Sequence, residues 1–438
     1  MRRENTDTVS MFTVNLPQSV SVTQCCMAHR PFLVWVGLRA EYYSDLMLVY
    51  SCRIRFLDFS SNFITNFPSG MVKRLRQLTR LVIRKNSIQS LNRDAFEGLN
   101  NLELIDLHDN RIQDIDNRAF RDLRSLKSLD MSLNVISTVG SSLEPLKNLM
   151  KLNLSDNYIT TLPFTAFRSL NRLSTLDISN NTIVDIGEAF VDMPELKFLD
   201  LSYNHLPSIK TGAFRRLPKL LALHLDHNSI ISISPDSFQE LWDLERLHMT
   251  KNGISVIETD TFRRLPSLEK LYLDDNLIKE LQERSFQSLL SLKELHLEYN
   301  LIKNINERAF SQIPSIRYLN LSYNLLQDLS RYGFYGLETL ETIDLSFNDV
   351  RIVDDRVFDN LKWLVYLYLN DNNICNIASR AFKDANSLRK LDLKNNRIYR
   401  LEESAFTNIQ RNVDSFHISG ESYRTIRSYI SRRIFRVY

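Results

Sequence analysis

Residues Leu292 to Phe310 read LKELHLEYNLIKNINERAF. Leu292, Leu295 and Leu297 are spaced so that one short extended segment turns its apolar side chains the same way. Asn300 follows, then Ile302 and Ile305, and Phe310 closes the unit ten residues after the Asn. The same arrangement recurs along most of the chain. Its Asn positions are 62, 86, 110, 134, 157, 181, 204, 228, 252, 276, 300, 324, 348, 372 and 396, spaced by 24 residues with two intervals of 23. A fixed period in this range is the mark of a solenoid. A single repeat array is therefore expected, not a set of globular domains.

Each repeat has an apolar face that it cannot bury alone, so neighbours must stack into a continuous core. The Leu positions before each Asn predict a short parallel strand. The Asn marks the point where the chain leaves the strand. Its amide carries both donors and an acceptor, so it can bond its own turn and the adjacent one, and stacked repeats would form an Asn ladder. A second column, running from Phe96 to Phe406, predicts stacked rings at the back of the core. The residues left to cross the back and return are too few for a long helix, so short turns and extended chain are expected there.

The pattern LxxLxLxxNxIxxLxxxAFxxLxx resembles the typical class of leucine-rich repeat found in secreted and cell-surface proteins, such as Toll-type ectodomains and chaoptin-like adhesion proteins. The match covers residues 54 to about 410. The resemblance implies an α/β horseshoe solenoid, with a parallel sheet on its concave face and short turns and irregular chain on its convex face. The expected organisation is a divergent N-terminal segment (1–53), a solenoid of about 15–16 repeats (54–421) and a basic C-terminal tail (422–438). Family members usually close both ends with disulfide-bonded caps. The resemblance makes Cys52 the end of such a cap, with Cys25 or Cys26 as its partner; Cys375 stands alone and reads as a free thiol.

The formal net charge of +3 gives no overall push toward nucleic acid or membrane. Residues 1 to 50 do not fit the repeat. Phe32 to Leu38 is a late and short apolar run, better placed as a secretory signal core if translation began at Met27 and far too short to cross a bilayer. Two repeats are irregular: Val139–Leu143 replaces the Phe position after Asn134, and one residue is missing after Asn181. Val413, Phe416 and Ile418 predict a further strand, with Glu421 in the Asn position. The tail from Ser422 carries five Arg and no acid. Ile426, Ile430, Ile434 and Val437 share one helical face there, which predicts a capping helix or, as the sharper alternative, a peripheral membrane contact.

No phosphate-cradling loop, nucleophile motif or paired metal-ligand spacing is present, so no enzyme and no cofactor is expected. Binding would fall to strand residues that face outward between the core Leu positions. The middle such position is most often Asp, in the form Leu-Asp-Leu-Ser, which reads as scaffold chemistry. The block from Ala222 to Glu298 departs from that form. It sets His224, His248, Tyr272 and His296 in one column beside Asp226, Asp274 and Glu298, a surface suited to a polar or basic protein partner whose binding would change between pH 5 and 7.5. A metal site on His224 and His248 lacks a clear third ligand in the sequence, so none is assigned. An acidic face is a poor match for phosphate, so no nucleic-acid partner is expected. Asn153, Asn180 and Asn320 open N-glycosylation triplets. The combined expectation is a non-enzymatic extracellular or cell-surface protein of adhesion or receptor-like type. An intracellular scaffold is the alternative.

Overall fold

The computed structural model describes residues 32–34 and 54–418, apart from 191–192, 235, 402–404, 407–408 and 410–412. Cys25, Cys26, Cys52, Glu421 and the tail 422–438 lie outside the described residues. The chain divides into two compact units, Met1–Leu196 and Lys197–Tyr438.

In the first unit, three-residue strands from Phe56–Asp58 to Thr175–Asp177 pair side by side, all parallel. Each residue pairs with the one 24 positions on, as Leu81 does with Ile105, except that Leu129 pairs with Leu152 across the short repeat. In the second unit, strands from Phe198–Asp200 to Ser415–His417 repeat the arrangement. The last pair places Leu391 against Phe416, one residue longer than the period, and Val413, Phe416 and Ile418 are buried as expected. Parallel pairing follows from the topology, because every strand is reached by the same long return over the back. The solenoid has almost no helix. Among the described residues helical structure amounts to the single turns Ser69–Val72 and Ser141–Leu143.

The central residue of each strand is sealed from solvent: Leu57, Leu176, Leu223 and Leu295 are all 0% exposed. Behind them the Phe column stacks ring on ring, with Phe96 and Phe120 5.6 Å apart in the first unit and Phe286 and Phe310 5.8 Å apart in the second. The Asn ladder bonds as its chemistry allows. Asn300 donates from Nδ2 to the carbonyls of Leu297 and Glu298 in its own turn and of Leu273 in the previous repeat, and its Oδ1 accepts the Ile278 N–H. Asn110 does the same with Leu107, Ile83 and Ile88. On the back, two-residue strands such as Ser90–Leu91 with Asp114–Ile115, and Glu280–Leu281 with Asn304–Ile305, start four residues after the ladder Asn. They are the extended chain expected there.

Among the described residues, the strand pattern departs from the sequence reading at residues 32–34. Phe32–Val34, read as part of a signal core outside the repeat, is a strand paired in parallel with Phe56–Asp58, one period upstream. Its ladder position is Leu38 rather than Asn, so the strongest mark of the repeat is missing. The irregular repeats also gain a physical account. Leu143, 1% exposed in the short 3₁₀ turn, supplies buried bulk in the repeat that has lost its Phe. The repeat after Asn181, one residue shorter, holds Gly187 at a φ of 48° that suits glycine and still delivers Phe190 to stack 5.9 Å from Phe167.

Candidate functional site

The residue at the end of each strand faces away from the core. Where it is Asp, its carboxylate accepts the backbone N–H two residues on: Asp130 from Ser132 at 3.0 Å, Asp200 from Ser202 at 2.9 Å and Asp344 from Ser346 at 2.9 Å. Asn153 and Asn320 make the same bond to Ser155 and Ser322, both at 3.0 Å. The column is therefore turn chemistry at these positions, because a short side-chain acceptor satisfies a donor leaving the strand.

Between residues 222 and 298 that bond gives way to rings. Strand register sets His224 beside His248, His248 beside Tyr272 and Tyr272 beside His296. Their rings stack nearly parallel at 4.1, 4.2 and 4.5 Å. Phe198 packs against the His224 end at 5.1 Å, and Tyr318 against the His296 end at 5.1 Å. The acid moves two residues along, to Asp226, Asp274 and Glu298, and its bonds run across the strands. Asp226 Oδ1 accepts the Thr250 N–H at 2.8 Å, and the Thr250 hydroxyl donates to Asp274 Oδ1 at 2.9 Å. His296 Nδ1 lies 3.3 Å from Glu298 Oε1. All seven residues singled out from the sequence thus share one face of the second unit.

The electrostatics of this face follow from partial burial. Burial raises the Asp226 carboxyl above its ordinary range, and it raises Asp274 with help from the nearby Glu298 charge. Burial, followed by the charges of His224, Arg246, His296 and Lys270, pushes His248 down to about 4. The expected charge change between pH 5 and 7.5 therefore does not occur at His248, which stays neutral across that range. Burial and then the charges of Glu298 and Asp344 raise the Tyr318 hydroxyl to about 12. Two buried atoms here, His296 Nε2 and Glu298 Oε2, have no hydrogen-bond partner among the described residues. Such atoms are costly unless something outside the chain satisfies them.

Three features escaped the sequence reading. Phe198 and Tyr318 extend the row because they sit at strand starts, outside the column that was read. Asp226 is the third potential ligand that the His pair lacked: one ligand atom from each of His224, Asp226 and His248 lies within 4.8 Å of the others. A further aromatic row runs along the turn margin, with Tyr299 4.3 Å from Tyr323 and Tyr323 4.2 Å from Phe347. Aromatic residues recurring just before the ladder Asn were its available signal. Cys375 is a free, half-buried thiol, as expected.

No curated protein matches the chain. Solved structures share its fold. A leucine-rich repeat protein of Leptospira interrogans is 23% identical, with 88% of this chain and 90% of that one covered and a TM-score of 0.67. The Toll–Spatzle complex of Drosophila gives 22% identity and a TM-score of 0.74, with 88% of this chain spanning 54% of the matched one. The TLR13–ssRNA13 complex gives 22%, coverages of 88% and 70%, and a TM-score of 0.53. The family model for the leucine rich repeat matches residues 52–112, 100–149, 147–206, 204–254, 218–278, 243–302 and 266–326. That for the BspA type leucine rich repeat region matches residues 303–433. With its Leu, Asn and Phe columns located in the fold and more than half its length matched, the chain belongs to the leucine-rich repeat family.

Proposed function

We propose that this chain is a non-enzymatic recognition module of a secreted or cell-surface protein, of adhesion or receptor-like type, and that it binds a protein partner through the sheet face between Ala222 and Glu298. The observation that carries this reading is the continuous row of packed rings from Phe198 to Tyr318. Flat rings offer contact area at little cost in conformational freedom. The relatives named above include one solved with a protein, Spatzle, and one with single-stranded RNA. The acid margin of Asp226, Asp274 and Glu298 favours a protein here, because it would repel a phosphate backbone. The solenoid is an interaction scaffold rather than an enzyme fold, and no described helix is long and apolar enough to cross a membrane.

The binding surface is tested with wild-type protein and a Tyr272→Ala/His296→Ala variant, each screened against arrayed ectodomains and intact cells. Any wild-type partner is expected to bind the variant at least about tenfold more weakly, since truncation of a central ring anchor costs about 2 kcal/mol or more and about 1.4 kcal/mol is tenfold. A partner that binds both equally, with thermal melts showing both folded, would sink the assignment.

Compartment has its own test. Asn180 is exposed, whereas Asn153 and Asn320 are half-buried with Oδ1 committed to the turn. Secretion from insect cells followed by glycosidase treatment and peptide mass spectrometry is expected to find a glycan at Asn180 first. Three unmodified sites would favour the intracellular scaffold.

A further inference from the structure

We propose that His224, Asp226 and His248 form a binding site for one divalent transition-metal ion, of the zinc type, on the face of the sheet. The three side chains come from adjacent strands in fixed register, with His224 paired to His248 and Asp226 two residues beyond His224. Residues two apart on extended chain point to the same side, so Asp226 is carried to the face that bears both rings. Its Oδ2 lies 3.7 Å from His224 Nδ1 and 3.9 Å from His248 Nδ1. Both separations exceed hydrogen-bond reach, so neither ring satisfies that oxygen. Three potential ligand atoms therefore converge without bonding one another.

An ion is the natural occupant of such a group. Tetrahedral bonds to zinc of about 2.0–2.2 Å place two ligand atoms about 3.3–3.6 Å apart. The three ligand atoms lie within 4.8 Å of one another, so an ion would draw them together by about 1 Å. The His224 and His248 rings stack at 9° and 4.1 Å, so a shared ion requires one imidazole to turn partly out of that stack. Two imidazoles and one carboxylate select a borderline metal over calcium or magnesium, which prefer all-oxygen shells.

The surroundings favour this arrangement. The Thr250 N–H holds Asp226 Oδ1, fixing the carboxylate with Oδ2 toward the rings. The Thr250 hydroxyl is tied in turn to Asp274, an orienting second layer of the kind that metal sites use. The His side chains are 25% and 23% exposed and that of Asp226 16%, so the group is sheltered yet open on one side. An ion held by three protein ligands keeps a coordination position free. A carboxylate, imidazole or thiolate of a docking protein could fill it, and that last step alone rests on the recognition reading.

The test uses the folded chain without an affinity tag, and zinc ions as the probe. Calorimetric titration is expected to show one saturable equivalent per chain, and cobalt(II) in its place a visible absorption typical of low coordination number. Asp226→Asn retains an acceptor for the Thr250 N–H, and His248→Gln is a second, independent change. Each is expected to weaken zinc binding at least about tenfold, because even second-layer losses reach that size. His205→Ala, an exposed histidine outside the group, is the control and should bind as wild type. Absence of saturable binding by the wild type, or unchanged affinity in both ligand variants, would overturn the site. The partner screen with Tyr272→Ala/His296→Ala touches none of the three ligands, so failure of the metal site leaves that result standing.

Discussion

Phe286→Ala is expected to destabilise the second unit by about 3–5 kcal/mol, the range for losing a whole aromatic ring from a packed core. Phe286 is 1% exposed and lies between Phe262 at 6.5 Å and Phe310 at 5.8 Å, so its removal opens a gap in the column with no neighbour free to fill it. In a repeat array each unit leans on its neighbours, so the loss should broaden the unfolding transition as well as shift it. Urea denaturation followed by circular dichroism reads both effects. Tyr335, 50% exposed, is the control and should tolerate Ala within about 0.5 kcal/mol. An unchanged midpoint for Phe286→Ala would remove the ring from the core.

The second large effect is expected at the ladder. Asn300→Ala strips one N–H and three carbonyls of their shared partner: Ile278 on one side, Leu273, Leu297 and Glu298 on the other. At 4% exposure Asn300 leaves little room for water to replace the amide, so the cost should reach about 1–3 kcal/mol. Asn304, four residues later in the same repeat, is exposed and should tolerate Ala within about 0.5 kcal/mol. Equal costs from matched denaturation curves would contradict the ladder.

The repeat was legible because three columns each needed one side chain: Leu for a sealed strand, Asn for a shared turn, Phe for the back. What escaped notice lacks such a requirement. The residue before every ladder Asn sits at positive φ, from 50° at Asn180 to 57° at Ser61, yet residues as different as Lys85, Leu133, Tyr299 and Phe347 occupy it. A left-handed conformation usually advertises itself through Gly or Asn. Here the turn imposes it on whatever residue arrives, so composition carries no signal. Phe32–Val34 escaped for a related reason: three extended residues suffice to pair, and the Asn that marks the other repeats is absent.

The candidate site was legible in part. A departure from Leu-Asp-Leu-Ser was enough to pick out His224, His248, Tyr272 and His296, and a constant register ensured that they stack. The approach of Asp226 to two rings depends on where the strand end turns its side chain, which spacing alone does not give. Nor does composition show that burial holds His248 near 4.

The central claim, that partners dock on the ring-lined sheet face, is tested most directly by photo-crosslinking. A benzophenone amino acid is placed at Tyr272 in one variant and at Tyr335, beside the Phe column, in another. Both proteins are presented to intact cells and to conditioned medium, irradiated, and resolved for covalent adducts. Discrete adducts from position 272 with none from 335 are the predicted result; adducts from 335 alone, or in equal yield from both, would contradict it.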